Sequence, residues 1–462
     1  MNLRGNLNLN LSLDLQDTRR SVEQSVRGLT GCRVVWLCGV IIVGMVTMSA
    51  DVASAQYGGG EETGRSAGVT APEKPKPTSG PETNFIPSLS VQERYDSNVY
   101  FIPGRKLEDY VTTFSPQLRV DHKNPLVDAT VTGGADAEIF VKNPGLNYVA
   151  GNGSVDLNLS GLTNTLVRGL GLRLFDAIRY TPQPPAFAAP TGGSQLPEAF
   201  VIGIQAQRAN SFSNAGRAEG SYAISPILSL TSTYSDQRIR FGRIQSPAGG
   251  GGLPAASFIS TNFQTVKSGP VLKASPVDTL TLSHQYQKGT FTRQGITSGF
   301  STQGIIAGWT RLLTPTLTAS VMGGITVFDR TGNVQYLGSA SLSWKGEATD
   351  VAVSYSRAVM PSFFVASTPL LSQIVNVTVN RRLTEALSLS INGNYAHSES
   401  VPDSSLLQFD SYAVTPGISY QINRMLTANL SYTNTMFDRR FGGQGSSFDR
   451  DMVLMKLAAE WN

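Results

Sequence analysis

The last eighty residues, 383 to 462, alternate in side-chain character almost without a break. Leu387, Leu389, Ile391 and Tyr395 are interleaved with Ser388, Ser390, Asn392 and Asn394. The pattern returns at Tyr412, Val414, Ile418 and Tyr420, and again at Leu426, Ala428, Leu430 and Tyr432. It closes with Val453, Met455, Leu457, Ala459 and Trp461. A period of two places one set of side chains on each face of a β-strand. Here the apolar face carries no charge at mid-strand and the segments are long. That combination predicts strands with lipid on one side and water on the other, as in a transmembrane barrel.

The chain before this region extends the pattern. From Phe85 onward eighteen strand candidates can be read, the first at 85–95, the fifth at 165–180 and the last at 448–461. Their connections alternate in kind. One set is tight: Asn124-Pro125, Ser225-Pro226, Ser275 to Asp278, Thr314 to Thr316, Thr384-Glu385 and Asn423-Arg424. The other set is mostly longer: 96–107, 181–209, 242–257, 359–369, 398–407 and 438–447. Short periplasmic turns and longer extracellular loops are the habit of outer-membrane barrels. The predicted fold class is therefore all-β, a transmembrane antiparallel up-and-down β-barrel of about eighteen strands. An even strand count places both ends of the barrel in the periplasm. Pro116, Pro270 and Pro416 recur before short turns, and proline inside a strand predicts a local bulge at each.

Three segments are expected. Residues 1–55 read as a leader: Arg27 and Arg33 precede an apolar run from Val34 to Val46, and Ala53-Ser54-Ala55 is a small-residue site cleaved after Ala55. Both cysteines, Cys32 and Cys38, lie in that leader. Leu29 to Cys32 is not a lipoprotein box, because the apolar run follows the cysteine. Residues 56–84, with Gly58-Gly59-Gly60 and four prolines, predict a flexible periplasmic linker. It is too short for a plug domain. Residues 85–462 form the barrel.

Charged residues make up 15% of the chain and the formal net charge is +4, too mild to argue for nucleic acid. The three histidines, His122, His284 and His397, show no metal-ligand spacing and no cofactor motif accompanies them. Gly249 to Gly252 lacks the Lys-Ser/Thr of a phosphate loop. No catalytic residue, cofactor or metal is expected. The informative positions are on the polar faces. Asp128, Asp136 and Glu138, with Asp156 on the next strand, and Arg119, Arg217 and Glu219 are expected to line the lumen, as facing charged patches or as a merely solvated wall. Trp309, Trp344 and Trp461 fall where an aromatic membrane-interface girdle belongs. The longest outer connection, 181–209, holds five prolines with Phe187 and Phe200, and reads as a constriction loop folded towards the pore or as a cap over its mouth.

Glu93-Arg94-Tyr95-Asp96-Ser97-Asn98-Val99-Tyr100-Phe101, followed by Asp109 to Pro116, resembles the outer-membrane β-barrel porins associated with exopolysaccharide and exosortase systems. Those share a Tyr-Asp-x-Asn-aromatic segment after strand one and a Ser-Pro turn into strand two. The resemblance implies an outer-membrane location in a Gram-negative bacterium and a role in surface polysaccharide passage or general diffusion. The last strand also resembles the C-terminal signal read by the barrel-assembly machinery, although it ends Trp461-Asn462 where the signal usually ends in Phe. The expected partners are outer-membrane lipid, that machinery, and polar solutes or a polysaccharide. The leading expectation is a non-enzymatic porin-like channel. The alternatives are an assembly barrel of a secretion system, closed by its own side chains, and a lipid-acting barrel enzyme.

Overall fold

Each predicted short turn is built by one polar side chain at its first position. Asn124 Oδ1 accepts from the amides of Leu126 and Val127 at 2.9 and 2.8 Å. Asn423 Oδ1 does the same for Met425 and Leu426 at 2.8 and 2.9 Å. Ser225, Ser275 and Thr384 use their hydroxyls in the same way. These side-chain-closed turns reverse the chain in a few residues, so consecutive strands pair antiparallel.

A computed structural model describes residues 81–100, 106–181, 208–245, 259–293, 296–361, 368–441 and 443–461. The leader, most of the linker and residues 182–207 of the longest loop, with Phe187 and Phe200, lie outside them. The strands are β1 (Glu82–Asp96), β2 (Asp109–Lys123), β3 (Asp128–Phe140), β4 (Tyr148–Asn158), β5 (Leu170–Thr181) and β6 (Arg208–Ala223). They continue as β7 (Leu228–Gln245), β8 (Ser260–Lys273), β9 (Asp278–Arg293), β10 (Ile296–Thr314), β11 (Leu317–Phe328) and β12 (Val334–Lys345). The last six are β13 (Thr349–Pro361), β14 (Pro369–Arg382), β15 (Leu387–Ser400), β16 (Leu407–Gln421), β17 (Leu426–Phe441) and β18 (Gln444–Glu460). All eighteen form one sheet of sequential neighbours, and β1 also pairs with β18, from Ser88↔Glu460 to Asp96↔Met452. The sheet is thus a closed antiparallel barrel, as the alternation predicts.

Closure gives the two faces different fates. On the concave side, side chains converge, and residues two strands apart can meet. Arg94 on β1 reaches Glu138 on β3 across β2 at 3.1 Å. Phe263 on β8 approaches Phe300 on β10 across β9, with ring centroids 6.2 Å apart. The register carries this inward face round the sheet. The opposite set includes Leu89, Leu230, Leu282, Ile305, Val321, Ile391, Val414, Leu430 and Met455, all exposed on the convex face. Apolar side chains so presented suit hydrocarbon and not water.

Three sequence expectations change. The fifth strand begins at Leu170 and not at 165, because Ser160–Leu166 form a short helix, α1, at the short-turn end. Gly161 lets this helix sit against the β2–β3 turn: a Cβ there would meet Pro125 O at 2.2 Å. Gly169, with φ +86°, then turns the chain into β5. Second, the connection expected at 438–447 is largely hairpin, since β17 and β18 pair out to Phe441↔Gln444. Third, the prolines make no bulges. Pairing resumes with the same offset on either side of Pro116, Pro270 and Pro416, and the register shifts lie instead between Ala209/Ser211 and Leu312/Thr314. A proline removes one ladder donor but inserts no extra residue, so the register survives.

The face assignment predicts opposite outcomes for two adjacent positions. Leu430→Arg puts a cation on the convex apolar band and should cost roughly 2–4 kcal/mol near the bilayer midplane. Asn429→Arg points inward and should fold in lipid vesicles with near-normal yield, as heat-modifiable gel mobility would show. Equal yields would reverse the assignment.

Candidate pore wall

The inward face has three chemically distinct zones. The first is a charged strip on β2 to β6, towards the short-turn end. It holds all seven charged residues singled out in the sequence except Glu138 and Asp136, which lie higher on the same wall. Their charges are paired close to home. Arg119 binds Asp121 on its own strand at 2.8 Å, and Arg217 binds Glu219 two residues away. Asp156 takes two hydrogen bonds from Arg173 on β5, at 2.9 and 2.6 Å. Asp136 accepts from Asn152 at 3.4 Å, and Asp128 stands exposed at the start of β3. Inward positions two apart on a strand are neighbours on one face, which is why Arg119 meets Asp121 and Arg217 meets Glu219.

The second zone covers β11 to β17. Below Arg439, which faces inward near the long-loop end of β17, and between the strand ends, the inward rows here carry no charged side chain among the described residues. They present Ser320, Ser341, Ser354, Asn376, Thr378, Asn392, Asn394, Thr415, Ser431 and Thr433. Neighbours share hydrogen bonds: Asn394 donates to Asn376 at 2.6 Å, and Thr415 and Thr433 lie 3.0 Å apart.

The third zone, at the long-loop end, is buried. Asp96 is 1% exposed and accepts from Arg450 Nε at 2.8 Å and from its Nη2. Arg94 lies 3.9 Å from Asp96 and binds Glu138, so two cations and two anions form one chain across β18, β1 and β3. Glu138 is therefore held by Arg94 within this cluster. Beside it Asp109, fully buried, accepts from the amides of Lys142 and Asn143 at 2.8 and 2.9 Å and fastens the β3–β4 connection. Further round, Phe291 stacks on Phe300 at 5.8 Å, and Phe300 meets Phe328 at 5.8 Å. Leu370, Leu407, Phe409 and Phe437 form another apolar cluster. The alternation rule misses this zone because its inward residues are apolar or charge-paired where a wet lumen calls for small polar groups. The one local signal is Arg94 and Asp96 at inward spacing in the Tyr-Asp-x-Asn segment.

Trp309, Trp344 and Trp461 all face outward near the short-turn end and are about equally exposed, at 43, 40 and 41%. The Trp309 indole donates to Asp278 at 2.9 Å. At the other end Tyr95 donates to Glu108 at 2.8 Å. Bonds from Lys142 and Tyr95 hold the Glu108 carboxyl below its usual range, so this link is present above that range and is lost as pH falls through the lowered value. No metal-binding group of His, Cys, Asp or Glu occurs among the described residues. His397 and Asp410, 2.8 Å apart, lie on the outward face, whereas Ser398 turns inward to Ser372 at 2.8 Å. The His397-Ser398 pair therefore straddles the sheet and cannot act as base and nucleophile together.

The buried charge chain predicts a sharp asymmetry. Arg450→Met leaves the buried Asp96 with the Asn98 amide and with Arg94 at 3.9 Å, and should cost about 3–5 kcal/mol in urea unfolding from vesicles. Combining it with Asp96→Asn should recover much of that loss. Additive losses would mean that the two residues do not act as a pair.

No curated protein matches the chain. Among solved structures it is similar to the siderophore receptor PirA from Pseudomonas aeruginosa, at 10% identity and TM-score 0.42, covering 83% of this chain and 81% of that one. It is similar to OccK1 (OpdK) of Pseudomonas aeruginosa at 9% identity and TM-score 0.42, covering 82% and 99%. For OccAB3 of Acinetobacter baumannii the values are 10%, 0.41, 82% and 100%. Residues 330–460, which contain β12 to β18, match the family described as "Putative beta-barrel porin 2", and the closed barrel that carries this match is a porin-like protein of the outer membrane.

Proposed function

We propose that the barrel is a non-enzymatic channel for polar solutes, and that uncharged, hydroxyl-rich molecules, a surface polysaccharide included, are its best-suited cargo. The observation that carries this reading is the uncharged Ser/Thr/Asn wall of β11 to β17. Such groups donate and accept, so they exchange hydrogen bonds with a passing hydroxyl at little net cost and select against neither sign of charge. Arg119, Asp128, Asp136, Asp156, Arg217 and Glu219 line the opposite side, with Glu138 tied into the outer cluster. Because most of that strip is paired internally, its far field is weak. Eighteen strands enclose enough width for a water-filled channel. Trp309, Trp344 and Trp461 serve as anchors at the periplasmic interface.

The buried clusters at the long-loop end favour a second reading, an assembly barrel closed by its own side chains. Single-channel recording of the refolded full chain in a planar bilayer separates the two. A channel gives discrete conductance steps with a cation-to-anion permeability ratio near unity. Arg173→Ala strips Asp156 of its partner and should tilt selectivity towards cations, while Asp156→Asn should tilt it towards anions. A well-folded protein without conductance would support the closed barrel.

A further inference from the structure

The convex wall above the outer tyrosines differs in sign on its two sides. On one side Tyr395 and Tyr432 donate to Asp410 and Asp451 at 3.1 and 2.7 Å, and Asp438 and Asp449 face outward in the same zone, where Lys106, ion-paired with Asp449, and the exposed Arg440 leave the acids in excess. On the other side, over β7 to β9, the outward rows climb from the exposed Leu230, Leu280 and Leu282 to Tyr234 and Tyr286. The next row is Asp236↔Gln264↔Lys288. Arg238 and Arg240 follow on β7, and Arg240 is opposite the outward-facing Phe212.

Two acids stand at this level, and both are engaged: Asp176 on β5, in the same outward row across Gly216, accepts from Asn214 at 2.7 Å. Asp236 accepts from Gln264 at 3.0 Å and is ion-paired with Arg238 at 2.6 Å. Arg240 and Lys288 have no acidic partner within ion-pair distance among the described residues, and Arg240 is exposed. A barrel in the outer membrane brings this level, just beyond its tyrosines, to the lipid headgroups. Two unmatched cations there, over an apolar strip, match an anionic headgroup whose chains run down the wall. A guanidinium binds phosphate oxygens through two parallel N–H bonds, and an ammonium adds a point charge.

We propose that the outer wall of β7 to β9 is a docking surface for a membrane lipid with a phosphate-bearing headgroup. Arg240 and Lys288 contact the phosphate, and Leu230, Leu280 and Leu282 carry the acyl chains. The acidic arc on β15 to β18 repels the same headgroup, so the lipid is taken on one side of the barrel. This inference rests on the outer-membrane location and not on the channel reading.

The test uses the full chain folded into phosphatidylcholine vesicles containing a minor fraction of bis-phosphorylated lipid A. The protein is re-extracted in mild detergent and the retained lipid A is quantified by mass spectrometry. The parent should retain it well above a dephosphorylated lipid A. Arg240→Glu with Lys288→Glu should lower retention on the order of tenfold, given the attraction each basic side chain contributes at a membrane surface. Asp438→Lys with Asp449→Lys, on the acidic arc, should retain at least as much as the parent. Should the double glutamate variant fail to reach the heat-modifiable folded band, Arg240→Gln with Lys288→Gln gives the same reading with a severalfold loss. Equal retention of the two lipids, unchanged retention in the β7–β9 variants, or equal loss from both arcs would overturn the proposal.

Discussion

Hydrocarbon offers no partner to a backbone amide, and every other feature of this barrel follows from that. An open edge inside the membrane would leave a row of N–H and C=O groups unpaired, each at a cost of several kcal/mol. The ladder between β1 and β18 removes both edges at once. Closure also converts a two-residue periodicity into an inside and an outside. A slip of one residue at that seam would turn every inward side chain of the strand towards lipid, so the register there is worth defending.

The buried charges stand where that defence is needed. Arg450 and Asp96 belong to the last and first strands, and Arg94 with Glu138 extends the contact to β3. Buried ion pairs often fail to repay their desolvation, so net stability is a poor account of their presence. Their value is in what they penalise. A seam that closes out of register separates Arg450 from Asp96 and leaves both buried without each other.

Elsewhere the interior separates charge from neutrality. Charges on β2 to β6 pair along a strand or between neighbours, while the middle of β11 to β17 presents mainly hydroxyls and amides. The first arrangement keeps ionic groups from imposing a strong field across the lumen. The second provides hydrogen bonds that can be exchanged without stripping a charge of water. Both belong to the inward rows, and neither would be apparent from total composition.

Alternation and turn chemistry were enough to give a strand count of about eighteen, the pairing order and the identity of each face. Leu430 against Asn429, or Asn423 opening a turn, is a local statement, because a strand's side-chain period and a side-chain-closed turn need only adjacent residues. Pro116, Pro270 and Pro416 show where that reasoning stops, since whether a missing donor shifts the register depends on the next strand. The helix at Ser160–Leu166 needed Gly161 to meet Pro125, thirty-odd residues earlier in the chain. The seven charged residues were legible as an inward set, but their pairing was only partly so: Arg119 with Asp121 is a contact within one strand, whereas Glu138 with Arg94 spans two. Furthest from reach was Arg450 with Asp96, separated by nearly the whole chain. Periodicity carries no information about which distant strand will lie alongside, so only closure of the sheet could bring that pair together.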